Sequence, residues 1–131
     1  SAPAMKPVRE IMNTKLLYIR EGDRISLARK QIVDFGVTAI PVLDETHRPV
    51  GMVSLRDLER GGEHVEPNGS VVTVRAGDPI DAGARLLAES PYHHLVVVDD
   101  VGVAVGIVSS VDFLRAILEM PPQHPAAFDG Y

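Results

Sequence analysis

The sequence predicts an α/β fold of the α+β kind, made of two tandem copies of one unit with the order strand, helix, strand, strand, helix. The first observation behind this is an internal repeat. Shifted by 55 residues, the chain lines up on itself without a gap, and between residues 18–58 and 73–113 eleven of 41 aligned positions are identical. Ordinary composition would give about two or three such matches. The second is that short β-favouring runs alternate in each copy with a stretch of helical spacing. The third is bulk composition: 131 residues, 45% of them apolar and with no apolar run near the length of a membrane span, describe a globular chain with a sizeable core. Two units too small to bury both of their faces are expected to pack on each other about a pseudo-two-fold axis, leaving paired clefts.

The elements follow in order. Pro7-Val8-Arg9-Glu10-Ile11-Met12 reads as a short helix with Pro7 near its first turn. Leu16 to Ile19 and Val71 to Val74 are short extended pieces that open the two copies. Gly22-Asp23 and Gly77-Asp78 then precede helices whose apolar residues are Ile25, Ala28, Ile32 and Phe35 in the first copy, and Ile80, Ala84, Leu87 and Ala88 in the second. Asp23 and Asp78 are the expected N-caps and Pro79 suits a first turn, while Gly36 suits the end of the first helix. Ala39 to Asp44 and His94 to Asp99 are unbroken apolar runs expected to be strands covered on both faces. Turns at Asp44 to Arg48 and Asp99 to Gly102 lead to hairpin partners at Val50 to Val53 and Val103 to Val108. Closing helices run from Leu55 to about Arg60 and from Val111 to about Met120. The domain reading is a first repeat at 8–60, a second at 63–120, and a loose C-terminal tail at 121–131, where Pro121, Pro122 and Pro125 stop the helix.

Composition narrows the chemistry. Cysteine is absent, which removes disulfides, thiolate metal sites and cysteine nucleophiles together. The net charge is −5 with scattered Lys and Arg, which argues against a nucleic acid duplex as partner. No membrane span and no secretion leader are read, so a cytoplasmic location is expected. No HExxH, GxSxG or GxxxxGK[ST] pattern occurs, and no enzymatic activity is expected.

Val8-Arg9-Glu10-Ile11-Met12, Gly36 to Asp44 and Val50 to Leu58, repeated in register as Tyr92 to Asp99 and Gly106 to Leu114, resemble a CBS domain, named from cystathionine β-synthase. The second copy is similar to the repeats of AMP-activated protein kinase gamma subunits. The resemblance spans about residues 8 to 119 and implies a tandem CBS pair, or Bateman module: a regulatory unit that binds adenosine nucleotides or related adenosyl ligands in clefts between its repeats, and requires no cofactor.

In both copies Ser is followed three residues later by Asp, as Ser54 with Asp57 and Ser109 with Asp112. This spacing sets a hydroxyl and a carboxylate around the first turn of a helix, where unpaired amides favour an anion. The same spacing is also a capping box that merely starts the helix. The resemblance assigns Asp57 and Asp112 to the ribose, and Ser54 and Ser109 to the phosphate. It also brings His93 and His94 to the phosphate, where Thr38-Ala39 stand in the first copy, so the clefts are expected to be unequal. Thr14 and Thr38 are weaker candidates for base or phosphate contact. No metal ligands are assigned, because neighbouring strand residues such as His93 and His94 point to opposite faces.

The leading expectation is a regulatory sensor that binds AMP, ADP, ATP or a similar ligand, forms a homodimer through apolar residues such as Leu114, Ile117 and Leu118, and acts on an unidentified effector protein. The alternative is a ligand-independent dimerisation or interaction scaffold whose Ser and Asp are only caps. A metal sensor using His93, His94 or His64 is a third reading.

Overall fold

The computed structural model describes residues 5–66 and 71–122. They form two compact units, one from residues 17–66 and 71, the other from 5–16 together with 72–122. Each contains a three-stranded sheet and two helices, so the predicted α/β class and the strand-helix-strand-strand-helix order hold in both copies.

In the first unit, β1 (Ile19–Arg20) runs parallel to β2 (Ala39–Leu43), which pairs antiparallel with β3 (Pro49–Ser54) in the order β1-β2-β3. Helix α1 (Ile25–Phe35) connects the parallel pair, and α2 (Leu55–Glu59) follows β3 directly. Ile40 through Leu43 are all buried, which is what an unbroken apolar run covered on both faces requires. Pro41 lies within this central strand but has no amide to donate; β1 pairs only with Val42 and Leu43. In the other unit, position 96 is Val, and there the edge strand is one residue longer.

That unit repeats the plan with β4 (Thr73–Arg75), α3 (Ile80–Ala88), β5 (His94–Val98), β6 (Ala104–Ser109) and α4 (Ser110–Ile117), in the order β4-β5-β6. Both antiparallel pairs carry an irregularity at matching places, between Val42 and Leu43 and between Val97 and Val98.

The leading segment is exchanged relative to sequence order. A 3-10 turn at Val8–Glu10 precedes β1, yet its Val8 and Ile11 join the core of Val74, Ile80, Leu95, Val97 and Phe113. The Val8 amide donates to the Asp78 carbonyl at 2.8 Å and the Arg9 amide to that of Ala76 at 2.9 Å. Residues 63–65 hold the first unit in the same manner: the Val65 amide donates to the Asp23 carbonyl at 2.7 Å and the Ile25 amide to the Glu63 carbonyl at 2.9 Å.

That exchange corrects one expectation. Asp23 and Asp78 are not N-caps: α1 starts after Arg24 and α3 after Pro79, neither with a side-chain cap. Their carboxylates instead reach back to the Arg20 amide at 2.9 Å and the Arg75 amide at 3.1 Å, closing the strand-to-helix turn. The helix-start amides of Ile25 and Ile80 find partners in the carbonyls of Glu63 and Lys6, so no side-chain cap is needed there. Gly36 does close α1, in the left-handed conformation at φ 66°. Helix α4 stops at Ile117, three residues before the expected end at Met120. The strands before each first helix also start later than Leu16 and Val71. Of the tail predicted at 121–131, residues 123–131 lie outside the described residues.

Candidate functional site

Each unit presents the same corner where its last strand turns into its last helix. The strands end on Ser54 and Ser109 in extended backbone, and the helices begin one residue later. In the first unit the Ser54 amide and hydroxyl both donate to Asp57 Oδ2, at 2.8 and 3.0 Å, and the Asp57 amide returns a bond to Ser54 Oγ at 3.3 Å. In the second, Ser109 donates to Asp112 Oδ2 at 2.8 and 3.0 Å, and the Asp112 amide to Ser109 Oγ at 3.2 Å. Both corners are therefore complete capping boxes. They hold a hydroxyl and a carboxylate together at a strand edge, with Asp112 buried and Asp57 half-buried.

The surroundings of the two corners differ. Cross-strand pairing sets Ala39 opposite Ser54 but His94 opposite Ser109, and directly opposed residues share a face of the sheet. His94 is half-buried and interacts electrostatically with Asp112; burial holds its imidazole below the ordinary value of 6.5, partly offset by that carboxylate. His93 takes another position. Its carbonyl accepts from the Ser110 amide at 3.1 Å and hydroxyl at 3.3 Å, and the residue helps line a groove of about 390 Å³ bordered by Tyr92, Leu87, Phe113 and Ile117. The structure thus brings His94, Ser109 and Asp112 together and places His93 on the groove beside α3 and α4.

Thr38 is exposed and its carbonyl accepts from the Leu55 amide at 3.2 Å, the counterpart of the His93 contact. Thr14 is exposed, one residue after the buried Asn13. A further residue emerges that the sequence reading did not single out. Arg60, three residues beyond Asp57, approaches its Oδ1 at 3.8 Å and borders a hollow of about 490 Å³ with Asp57, Gly61, Gly62, Glu63 and His64. Its counterpart Arg115 folds away and donates twice to the Pro121 carbonyl, at 3.0 and 2.9 Å. The signal was available: Ser, Asp and Arg recur at the same spacing in both copies. Among the described residues no cluster of three His, Asp or Glu is arranged to hold a metal ion, and no helix is long and apolar enough to cross a membrane.

Both copies match the family model described as CBS domain, over residues 8–61 and 63–119. The chain belongs to the CBS domain family. As a CBS pair it is similar to CBSX2, whose structure in complex with AMP shares 27% identity, covers 87% of this chain and 97% of that one, and gives a TM-score of 0.76. The structure of the CBS-pair protein CBSX2 from Arabidopsis thaliana gives 26% identity, coverage of 87% and 95%, and a TM-score of 0.73. The cytosolic domain of the Mg²⁺ channel MgtE in complex with ATP is 31% identical, with coverage of 80% and 46% and a TM-score of 0.69. Among curated relatives, homoserine O-acetyltransferase of Methanococcoides burtonii is 30% identical over 117 residues, 84% of this chain but 24% of that protein. The chain spans a quarter to under a half of the length of the first curated relatives it matches, so their whole-protein activities extend beyond the shared CBS pair.

Proposed function

We propose that this CBS pair is a regulatory module that binds an adenosine nucleotide such as AMP, ADP or ATP, or a related adenosyl ligand. Asp57 and Asp112 take the ribose hydroxyls, Ser54 and Ser109 the phosphate, and His93 and His94 add to the phosphate side; Thr14 and Thr38 are secondary contacts. The observation that carries this reading is a hydroxyl-carboxylate corner repeated at matching helix starts, in a fold shared with a protein crystallised with AMP. A carboxylate accepts hydrogen bonds from a ribose diol, and the imidazole of His94, opposite Ser109, can donate one to a phosphate. Of the two, the second corner is the stronger candidate: its carboxylate is buried, its helix has eight residues against five, and it has a histidine opposite.

The module works by binding, not catalysis, and needs no cofactor. A ligand shifts it only through different affinities for two conformations, and the output passes to an effector protein in the cytoplasm. Leu114, Ile117 and Leu118 are 58, 59 and 61% exposed on and just after α4, and we assign them to a homodimer contact. Sedimentation of the wild type as a dimer and of Ile117→Lys as a monomer supports this contact; a monomeric wild type removes it.

The test of binding is thermal stabilisation by a panel of adenosine nucleotides. Stabilisation that is lost in a folded Asp112→Ala variant supports the sensor. The complete capping boxes favour a second reading, a scaffold whose Ser and Asp only start helices. That reading gains if no nucleotide changes the melting temperature.

A further inference from the structure

The second corner differs from the first in one titratable side chain. His94 opens β5 directly across from Ser109, on the same face of the sheet, and Ser109 gives both its amide and its hydroxyl to Asp112 Oδ2. Imidazole, hydroxyl and carboxylate thus meet within one strand pair and the first turn of α4. At the equivalent place in the first copy stands Ala39, opposite Ser54.

We infer that His94, set across from Ser109 and beside Asp112, makes phosphate binding at this corner proton-coupled: a proton is taken up from solvent as a phosphate approaches the imidazole, so that phosphorylated adenosine ligands are favoured over unphosphorylated ones as pH falls. The inference rests on the proposed binding reading and adds to it a regulatory input and a ligand class.

The charged groups around His94 fix the direction. Asp112 of α4 favours the imidazolium, while His93 and burial oppose it, and burial is the largest influence. Strand β6 sets uncharged Ser109 opposite, β4 carries its charge at Arg75 beside Val98 at the far end of β5, and Asp81 and Arg85 of α3 are exposed. With the free imidazole held below 6.5, a dianionic phosphate beside it raises its proton affinity. Between the free and bound values binding therefore takes up a proton, and affinity climbs with falling pH. Below the free value the imidazole is already charged and the gain ends.

Calorimetric titration of AMP and of adenosine, between about pH 8 and pH 6 and in buffers of different ionisation enthalpy, tests this on wild type, His94→Ala and His94→Gln. AMP titrates itself, so the reading is the difference between proteins. On binding AMP, wild type is expected to take up more protons than His94→Ala or His94→Gln, by roughly half a proton or more, and its affinity is expected to rise relative to theirs by up to about tenfold per pH unit. Adenosine is expected to show no such difference. His94→Gln keeps a polar side chain of similar reach, and circular dichroism checks that it folds. Equal pH slopes for AMP in wild type and a folded variant overturn proton coupling while leaving nucleotide binding in place. Absence of AMP binding by any of the proteins overturns both.

Discussion

Ser109 and Asp112 show how one spacing starts a helix. A single carboxylate oxygen accepts from the strand-end amide and the serine hydroxyl, fixing the chain's turn into α4, and the same bonds hold the carboxylate at the edge where a ligand would meet it. The capping box was legible from Ser-x-x-Asp, while the ligand contact is what we propose. The roles of Asp23 and Asp78 were not legible, because the same residue type caps a helix or closes the preceding turn according to which carbonyls lie nearby. Here carbonyls of distant segments take the helix-start amides, and the carboxylates turn back to Arg20 and Arg75. His94 gives a prediction at this scale. A base whose proton affinity is lowered by folding leaves the unfolded chain binding more protons, so stability falls as pH drops through 6.5 toward the depressed value. Urea unfolding at stepped pH should show this slope in wild type and a flatter one in His94→Gln. Asp44, depressed by the Thr46 hydroxyl and the Arg48 amide, acts below its ordinary 3.8 and does not overlap that window.

Among the elements, strands read best from sequence, because four adjacent buried residues leave few alternatives for Ile40 to Leu43 or Leu95 to Val98. Helix ends read less well. Gly36 announces the end of α1, whereas α4 ends in the same kind of left-handed turn with Glu119 at φ 58°. The Glu119 amide donates to the Ala116 carbonyl at 3.1 Å and that of Met120 to the Arg115 carbonyl at 2.8 Å, the paired bonds of a Schellman motif. No glycine marks this place, so apolar periodicity ran on to Met120. Left-handed backbone costs a side-chain-bearing residue about 1–2 kcal/mol, part of which glycine returns in chain entropy. Glu119→Gly is expected to stabilise the protein by about 0.5–1 kcal/mol in denaturant unfolding; a loss of stability would show that the glutamate side chain makes a contact of greater weight.

At the scale of the whole molecule, the 55-residue repeat made the duplicated architecture plain, but not the exchange of leading segments. Periodicity reports which residues are apolar, not which sheet they cover, and Val8 and Ile11 carry no mark of the core they join. Ile11→Ala is expected to cost about 2–3 kcal/mol, and hydrogen exchange should locate the loss in residues 72–120. Faster exchange confined to residues 17–66 would contradict the exchanged packing.

The central claim is that nucleotide binds at the corner where β6 becomes α4. Amide NMR shifts recorded during an AMP titration test it most directly. The account predicts saturable changes centred on His94 and Ser109 to Asp112, abolished in folded Asp112→Ala; saturable changes that leave these amides unmoved, or none at all, would contradict it.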